Sequence, residues 1–128
     1  MEIKLSKQLQ GKLDLFLETK DKKLNTFLEV LDLEKFTFSK EEINKIEEYY
    51  KIDNSLKEYI YIYIGESIIQ VAGGFWSIGK FKKDSAYELP IILEWGKGNT
   101  PRICPNDWIH HIDKGSLRKS LGEMIYSL

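Results

Sequence analysis

Apolar residues recur every three or four positions through the first part of this chain. Leu5, Leu9, Leu13 and Phe16/Leu17 form one stripe, which predicts a helix over residues 3–18. Gly11 lies inside it, at a cost of roughly 1 kcal/mol relative to Ala. The polar run Thr19 to Lys23 follows, then Leu24, Phe27, Leu28 and Leu31 resume the period. That run either breaks the helix or faces water. One long helix is possible, but two antiparallel helices bury the two stripes more easily.

Asp32 to Phe38 reads as a link anchored by Leu33, Phe36 and Phe38. Ser39 and Glu42 then stand at capping-box spacing, with Phe38 and Ile43 placed as a hydrophobic staple. The helix they open turns Ile43, Ile46 and Tyr49/Tyr50 inward and Glu41, Glu47 and Glu48 outward. Asp53 or Asn54 caps the next helix.

The longest apolar stretch, Tyr59 to Gly79, organises the rest. Its IYIYI segment alternates as a strand would, yet Leu56, Ile60, Tyr63/Ile64, Ser67/Ile68 and Val71 also fit a helical stripe. The opening Ser55-Leu-Lys-Glu and a C-cap at Gly73 favour a central helix. Trp76–Lys82 and Tyr87–Glu94 are then predicted as strands, with Pro90 at an edge or a strand start. Gly96 to Asn99 is a turn, and Arg102-Ile103-Cys104 a third short strand. Pro105 opens a short helix that Gly115 breaks. Ser116 is expected to cap a last helix, with Leu117, Leu121, Met124/Ile125 and Leu128 buried. The expectation is α+β: helices to about residue 73, then a small antiparallel sheet of two or three strands with two short C-terminal helices, in a single domain over 1–128.

Composition narrows the function classes. The 128 residues are 42% apolar, which suits one domain with a real core. With 19 basic and 20 acidic residues the formal net charge is -1. Arg102 and Arg118 are the only arginines, so no nucleic-acid partner is expected. The single cysteine, Cys104, forms no internal disulfide, which points to a reducing cytoplasm. The charged N-terminus does not read as a signal peptide, and Glu58, Glu66 and Gln70 break the densest apolar window, so no membrane span is expected.

Several residues invite chemistry. A buried Glu66 is costly unless paired. It would accept backbone N–H bonds near Gly73-Gly74 or the 106–108 helix start, lie exposed, or act as a raised-pKa acid. Gly73-Gly74-Phe75-Trp76 lacks the context of a nucleotide loop, and its glycines suit a positive φ. His110 and His111 with Cys104 suggest a metal. However, adjacent histidines on a helix diverge, and a closed site needs four ligands, so neither metal nor cofactor is expected. One histidine is expected to pack near Trp108 and the other to face solvent. Cys104 paired with a histidine would make a nucleophile, and a small buried thiol explains it as well. Lys80, Lys82 and Lys83 form a basic patch at the hairpin, opposite in sign to the helix surface of Glu41, Glu42, Glu47, Glu48, Asp53 and Glu58.

At Gly65-Glu66, Gly73-Gly74-x-Trp76, Pro90 and Pro105-x-x-Trp108-Ile109 the chain resembles a group of small, largely uncharacterised bacterial cytoplasmic proteins. They pair a helix carrying Gly-Glu with a Gly-Gly-x-Trp turn and a short antiparallel sheet. Some of them look like immunity proteins of polymorphic toxins. The resemblance covers roughly residues 55–128. It implies that Glu66, Gly73, Gly74, Trp76, Pro105 and Trp108 are scaffold residues, and it implies no catalytic residue.

The expected function is therefore a non-catalytic protein-binding module, with an immunity protein that occludes a cognate toxin as its most concrete form. The alternative is an adaptor or structural subunit of an unrelated complex, with a homodimer through the Tyr61/Tyr63 surface as one variant. A small enzyme or ligand binder would need Glu66, Cys104 or His110 to converge. Candidate partner contacts are Glu47, Glu48, Tyr50, Tyr61, Lys80, Lys82, Lys83 and Tyr87.

Overall fold

The computed structural model describes residues 5–128. Helix α1 runs Lys7–Leu31 without a break, and α2 runs Lys40–Ile52. A 3₁₀ turn at Asn54–Leu56 leads into α3, Lys57–Ala72. Strands β1 (Phe75–Ile78) and β2 (Pro90–Leu93) follow, then α4 (Pro105–Lys114) and α5 (Leu121–Tyr126). The fold is α+β, as the pattern predicts. Residues 3 and 4 of the first predicted helix lie outside the described residues.

The two-helix expectation for the N-terminal segment is wrong, and Lys20 supplies the reason. Leu9, Leu13, Phe16, Lys20, Leu24 and Phe27 form one continuous stripe, and the polar run contributes its Lys20 to that stripe. Only 14% of the Lys20 side chain is exposed, because it reaches Glu66 of α3 at 3.5 Å. The other members of the run remain on the outer face or its margin.

Helix α3 is the central element, touching α1, α2, α4, α5 and β2. Ile60, Ile62, Tyr63, Ile64 and Ile68 are fully buried. A helix buried on most sides has no polar face, so alternation in IYIYI carries no information about strand faces. Each such side chain contributes roughly 1.5–3 kcal/mol of burial. Gly73 and Gly74, at φ 81 and 97, turn the chain into β1. A Cβ on Gly74 would also lie 2.5 Å from the Leu93 carbonyl oxygen.

Ser39 caps α2 as predicted, its hydroxyl accepting from the Glu42 N–H at 3.1 Å. The Glu42 carboxylate reaches further back than a capping box requires. It accepts from the Phe38 N–H at 2.8 Å, from Thr37 N–H, and from the Tyr63 hydroxyl of α3 at 2.8 Å. Burial and that carboxylate together push the Tyr63 hydroxyl far above its ordinary pKa.

Glu47 does not face out. It is 4% exposed and accepts the Leu121 N–H at the start of α5 at 2.8 Å. Beside it, Asn44 accepts the Gly122 N–H at 2.8 Å. Two side chains of α2 thereby satisfy backbone donors of α5, which otherwise lack intrahelical partners. The last helix begins later than expected, because Ser120 caps it in place of Ser116. Leu121 and Ile125 are buried, whereas Leu128 is 37% exposed.

The strands are shorter than the sequence suggests. They pair antiparallel with Phe75 opposite Leu93 and Ile78 opposite Pro90. The connection folds on itself: the Asp84 carboxylate accepts the Ala86 N–H at 3.1 Å, and the Tyr87 N–H donates to the Asp84 carbonyl. The expected third strand is reduced to one bridge, in which Ile92 and Ile103 exchange both backbone hydrogen bonds.

Candidate functional site

Side chains alternate between the two faces of a strand. Trp76 and Ile78 of β1 point inward, toward α1 and α3. The Trp76 indole lies so close to Gly65 of α3 that a Cβ there would come within 2.0 Å of its ring carbons. Its Nε1–H donates to Glu66 at 2.7 Å, and Phe16 of α1 packs edge-on at 4.7 Å. Glu66 is thus held by an indole and by Lys20, not by the backbone N–H groups expected from the sequence. Burial pulls the Lys20 pKa down, but Asp21 and Glu66 outweigh it and leave it raised. Gly65, Glu66 and Trp76 act as one scaffold device joining α3 to the sheet.

Phe75 and Ser77 must then point outward, beside Ile91 and Leu93 of β2. A groove of about 250 Å³ opens on this face. Ser77, Ile91 and Leu93 form its floor, and Phe81, Lys80 and the Asp84–Arg102 pair its rim. Phe75 and Phe81 are 48% and 57% exposed. Lys80 Nζ sits over the Phe81 ring, 5.5 Å from its centroid, and Lys82 and Lys83 are exposed just beyond. Arg102 donates to Asp84 through Nε at 3.0 Å and to Asp107 of α4 at 3.1 Å, which ties the hairpin connection to the helix. Hydrogen bonds from Arg102 and from the Ala86 N–H hold Asp84 at about 2, below its ordinary 3.8.

A larger groove of about 360 Å³ lies between α2 and the α4–α5 link. Glu47, Glu48, Lys51, Arg118 and Lys119 line it, so it carries charges of both signs. Lys51 pairs with Glu47 at 3.4 Å and Glu48 at 3.3 Å, and the Glu47 charge raises its pKa. Tyr49 and Ile52 are exposed on the same helix, but this groove is lined mainly by charged side chains, whereas the hairpin groove has Ile91, Leu93 and Phe81 in its wall, which makes the hairpin face the better candidate for macromolecular contact.

Several expected contact residues are placed elsewhere. Tyr50 is 1% exposed, its hydroxyl donating to Asp113 of α4 at 2.6 Å. With Glu47 also buried, neither is a surface contact. Tyr61 is half-buried beside Phe16, and Tyr87 packs half-buried on Leu9, Leu13 and Ile78. Glu48, Lys82 and Lys83 are exposed and Lys80 half-buried. The sequence reading missed Phe75 and Phe81. The signal for Phe75 was its odd position in a strand whose even residues, Trp76 and Ile78, are the apolar core set.

The chemical candidates do not come together. Cys104 is 1% exposed, and burial pushes its thiol pKa up. His110 and His111 are both exposed, their rings 6.3 Å apart, so neither packs inward as one was expected to. His111 Nδ1 meets the Ser116 hydroxyl at 2.8 Å, beside the carbonyl groups that end α4. Among the described residues, no group of three or more His, Cys, Asp and Glu is placed to hold a metal ion. No described helix is long and apolar enough to cross a membrane.

Fold and site together define an α+β protein that displays an aromatic and cationic hairpin. Comparison with protein-family models, with curated proteins and with solved structures gives no match.

Proposed function

We propose that this protein is a non-catalytic protein-binding module, and specifically a cytoplasmic immunity protein that binds and occludes a cognate bacterial toxin. The observation that carries the reading is the outer face of the hairpin. There Phe75 and Phe81 adjoin an apolar groove, with Lys82 and Lys83 exposed beside it. Exposed aromatic carbon with a charged rim is the composition of a protein interface: rings supply affinity, and charges supply orientation and association rate. The dispersal of Glu66, Cys104 and His110 supports a role without chemistry. Glu66 is committed to Trp76 and Lys20, Cys104 is buried, and His110 stands in solvent.

The test is co-expression with the product of the adjacent upstream gene, reading cell survival and co-purification together. Rescue with a one-to-one complex supports the immunity assignment. A stable complex without rescue favours the adaptor role. A toxic neighbour that is neither bound nor neutralised, or a harmless one, removes the immunity assignment.

A further inference from the structure

The groove on the outer face of the hairpin has a definite size and an uneven charge. Ser77, Ile91 and Leu93 make its floor, and the exposed Phe81 lines it. Its volume of about 250 Å³ falls below the roughly 300–1,000 Å³ of pockets that enclose a drug-sized ligand. That is room for one side chain, with the rest of its bearer outside. The charges around it differ between its two ends. Lys82 and Lys83 are exposed on the connection, just past Gly79 and Lys80. The carboxylates at that end are already engaged: Asp84 and Asp107 by Arg102, and Glu88, which bonds to Gly79 through its backbone, by Lys12. The exposed Glu94 follows Leu93 at the opposite end of the strand pair, where Leu93 faces Phe75. The end beside the connection is therefore cationic in sum.

We infer that this groove takes one bulky apolar side chain from an acidic segment of the partner protein. Burial of that anchor against Ile91, Leu93 and Phe81 supplies affinity, and the carboxylates beside it meet Lys82 and Lys83. The nearest rival occupant is a second copy of this chain, whose exposed Tyr49 and Ile52 stand beside Glu48 and Asp53 at the end of α2. Such a contact joins two different surfaces head to tail. It grows into open chains unless the rotation closes, whereas a separate partner saturates one site. This inference rests on the protein-binding reading and specifies the chemistry of the partner.

The test titrates the full chain, labelled with 15N, with an end-capped synthetic peptide, Glu-Glu-Phe-Glu-Glu. Three controls accompany it: the peptide with Ala in place of Phe, the peptide with Lys in place of every Glu, and benzyl alcohol as the ring alone. Saturable binding at millimolar concentration or below is expected, with amide shifts at Ser77, Phe81, Ile91 and Leu93. The Ala peptide should bind at least about tenfold more weakly. The Lys peptide should not saturate, and added salt should weaken the parent. A Lys82→Glu, Lys83→Glu variant should lose the parent peptide and bind the Lys peptide. Several results overturn the inference: no saturable binding, shifts confined to other residues, or equal binding by the Ala or the Lys peptide. Benzyl alcohol binding as tightly as the parent overturns it too, and would make a small apolar ligand the occupant. So does self-association that covers the groove, or a contact to it from residues 1–4 in the free protein, which would make a second copy or the chain's own N-terminus the occupant. If the peptides fail while the upstream gene's product is still captured, the protein-binding reading stands without this chemistry. If the acidic peptide binds and that product is not captured, the groove stands and the immunity assignment falls.

Discussion

The Trp76 indole N–H donates to Glu66 at 2.7 Å, and this bond fixes the sheet to the central helix. The residue before the carboxylate, Gly65, leaves the room the indole occupies. Gly65→Ala should therefore cost roughly 1–3 kcal/mol through overpacking. Glu66→Leu should cost about 1–3 kcal/mol by leaving the indole donor without its partner, and Glu66→Gln less, because an amide oxygen still accepts. Urea midpoints of the three variants check this order. Equal loss for Gln and Leu would show that the Lys20 pairing, not the indole bond, matters at this position.

Glu47 and Asn44 make α5 dependent on α2. Glu47→Ala should destabilise the protein by about 1–3 kcal/mol, leaving the Leu121 N–H buried without an acceptor. Gly122→Ala should be at least as harmful, since its Cβ would lie 2.7 Å from the Lys40 carbonyl oxygen, which is backbone. Amide exchange should locate the loosening in α5 before global unfolding. Unchanged protection there would contradict the cross-helix cap.

Asp84 gives the acid limb of stability a defined origin. Its folded pKa of about 2 lies below the ordinary 3.8, so its contribution is fully present above the ordinary value and is lost as pH falls through the folded one. Wild type should lose more stability than Asp84→Asn between about pH 4 and about pH 2. Denaturant midpoints across that window read the difference. Parallel curves would mean the Arg102 pairing persists in the unfolded chain or does not hold Asp84.

Charge reversal at Lys82 and Lys83 should slow association with the partner and flatten its salt dependence, with little effect on the thermal midpoint. Stopped-flow association at two ionic strengths separates this from a change in dissociation. An unaltered association rate would remove the lysines from the steering surface.

Local grammar was legible in the sequence. Ser39 capping Glu42, the helix through IYIYI with its stop at Gly73, Pro90 opening β2 and Gly115 ending α4 each depend on neighbours a few positions away. What escaped was decided by distant chain. Lys20 belongs to the buried stripe of α1 only because Glu66 lies across from it. Glu47 is internal only because α5 returns to cover α2 and supplies the Leu121 N–H, and Tyr50, on the inner face that the period predicts, finds its hydroxyl's acceptor only in Asp113 of the distant α4. The surface was read least well. Tyrosines were expected to be the aromatic anchors, but Tyr50, Tyr61 and Tyr87 bury most of their rings, while Phe75 and Phe81 are left outside by strand alternation and by the looped connection.

The most direct test of the hairpin as the binding surface is co-purification of the upstream gene's product with wild type and with a Phe81→Asp, Lys82→Glu, Lys83→Glu variant. These residues are exposed, so the variant should fold with an unchanged thermal midpoint. The expected result is a stable complex with wild type and none with the variant. Retention of the partner by both proteins, or by neither, would contradict the assignment of binding to this face.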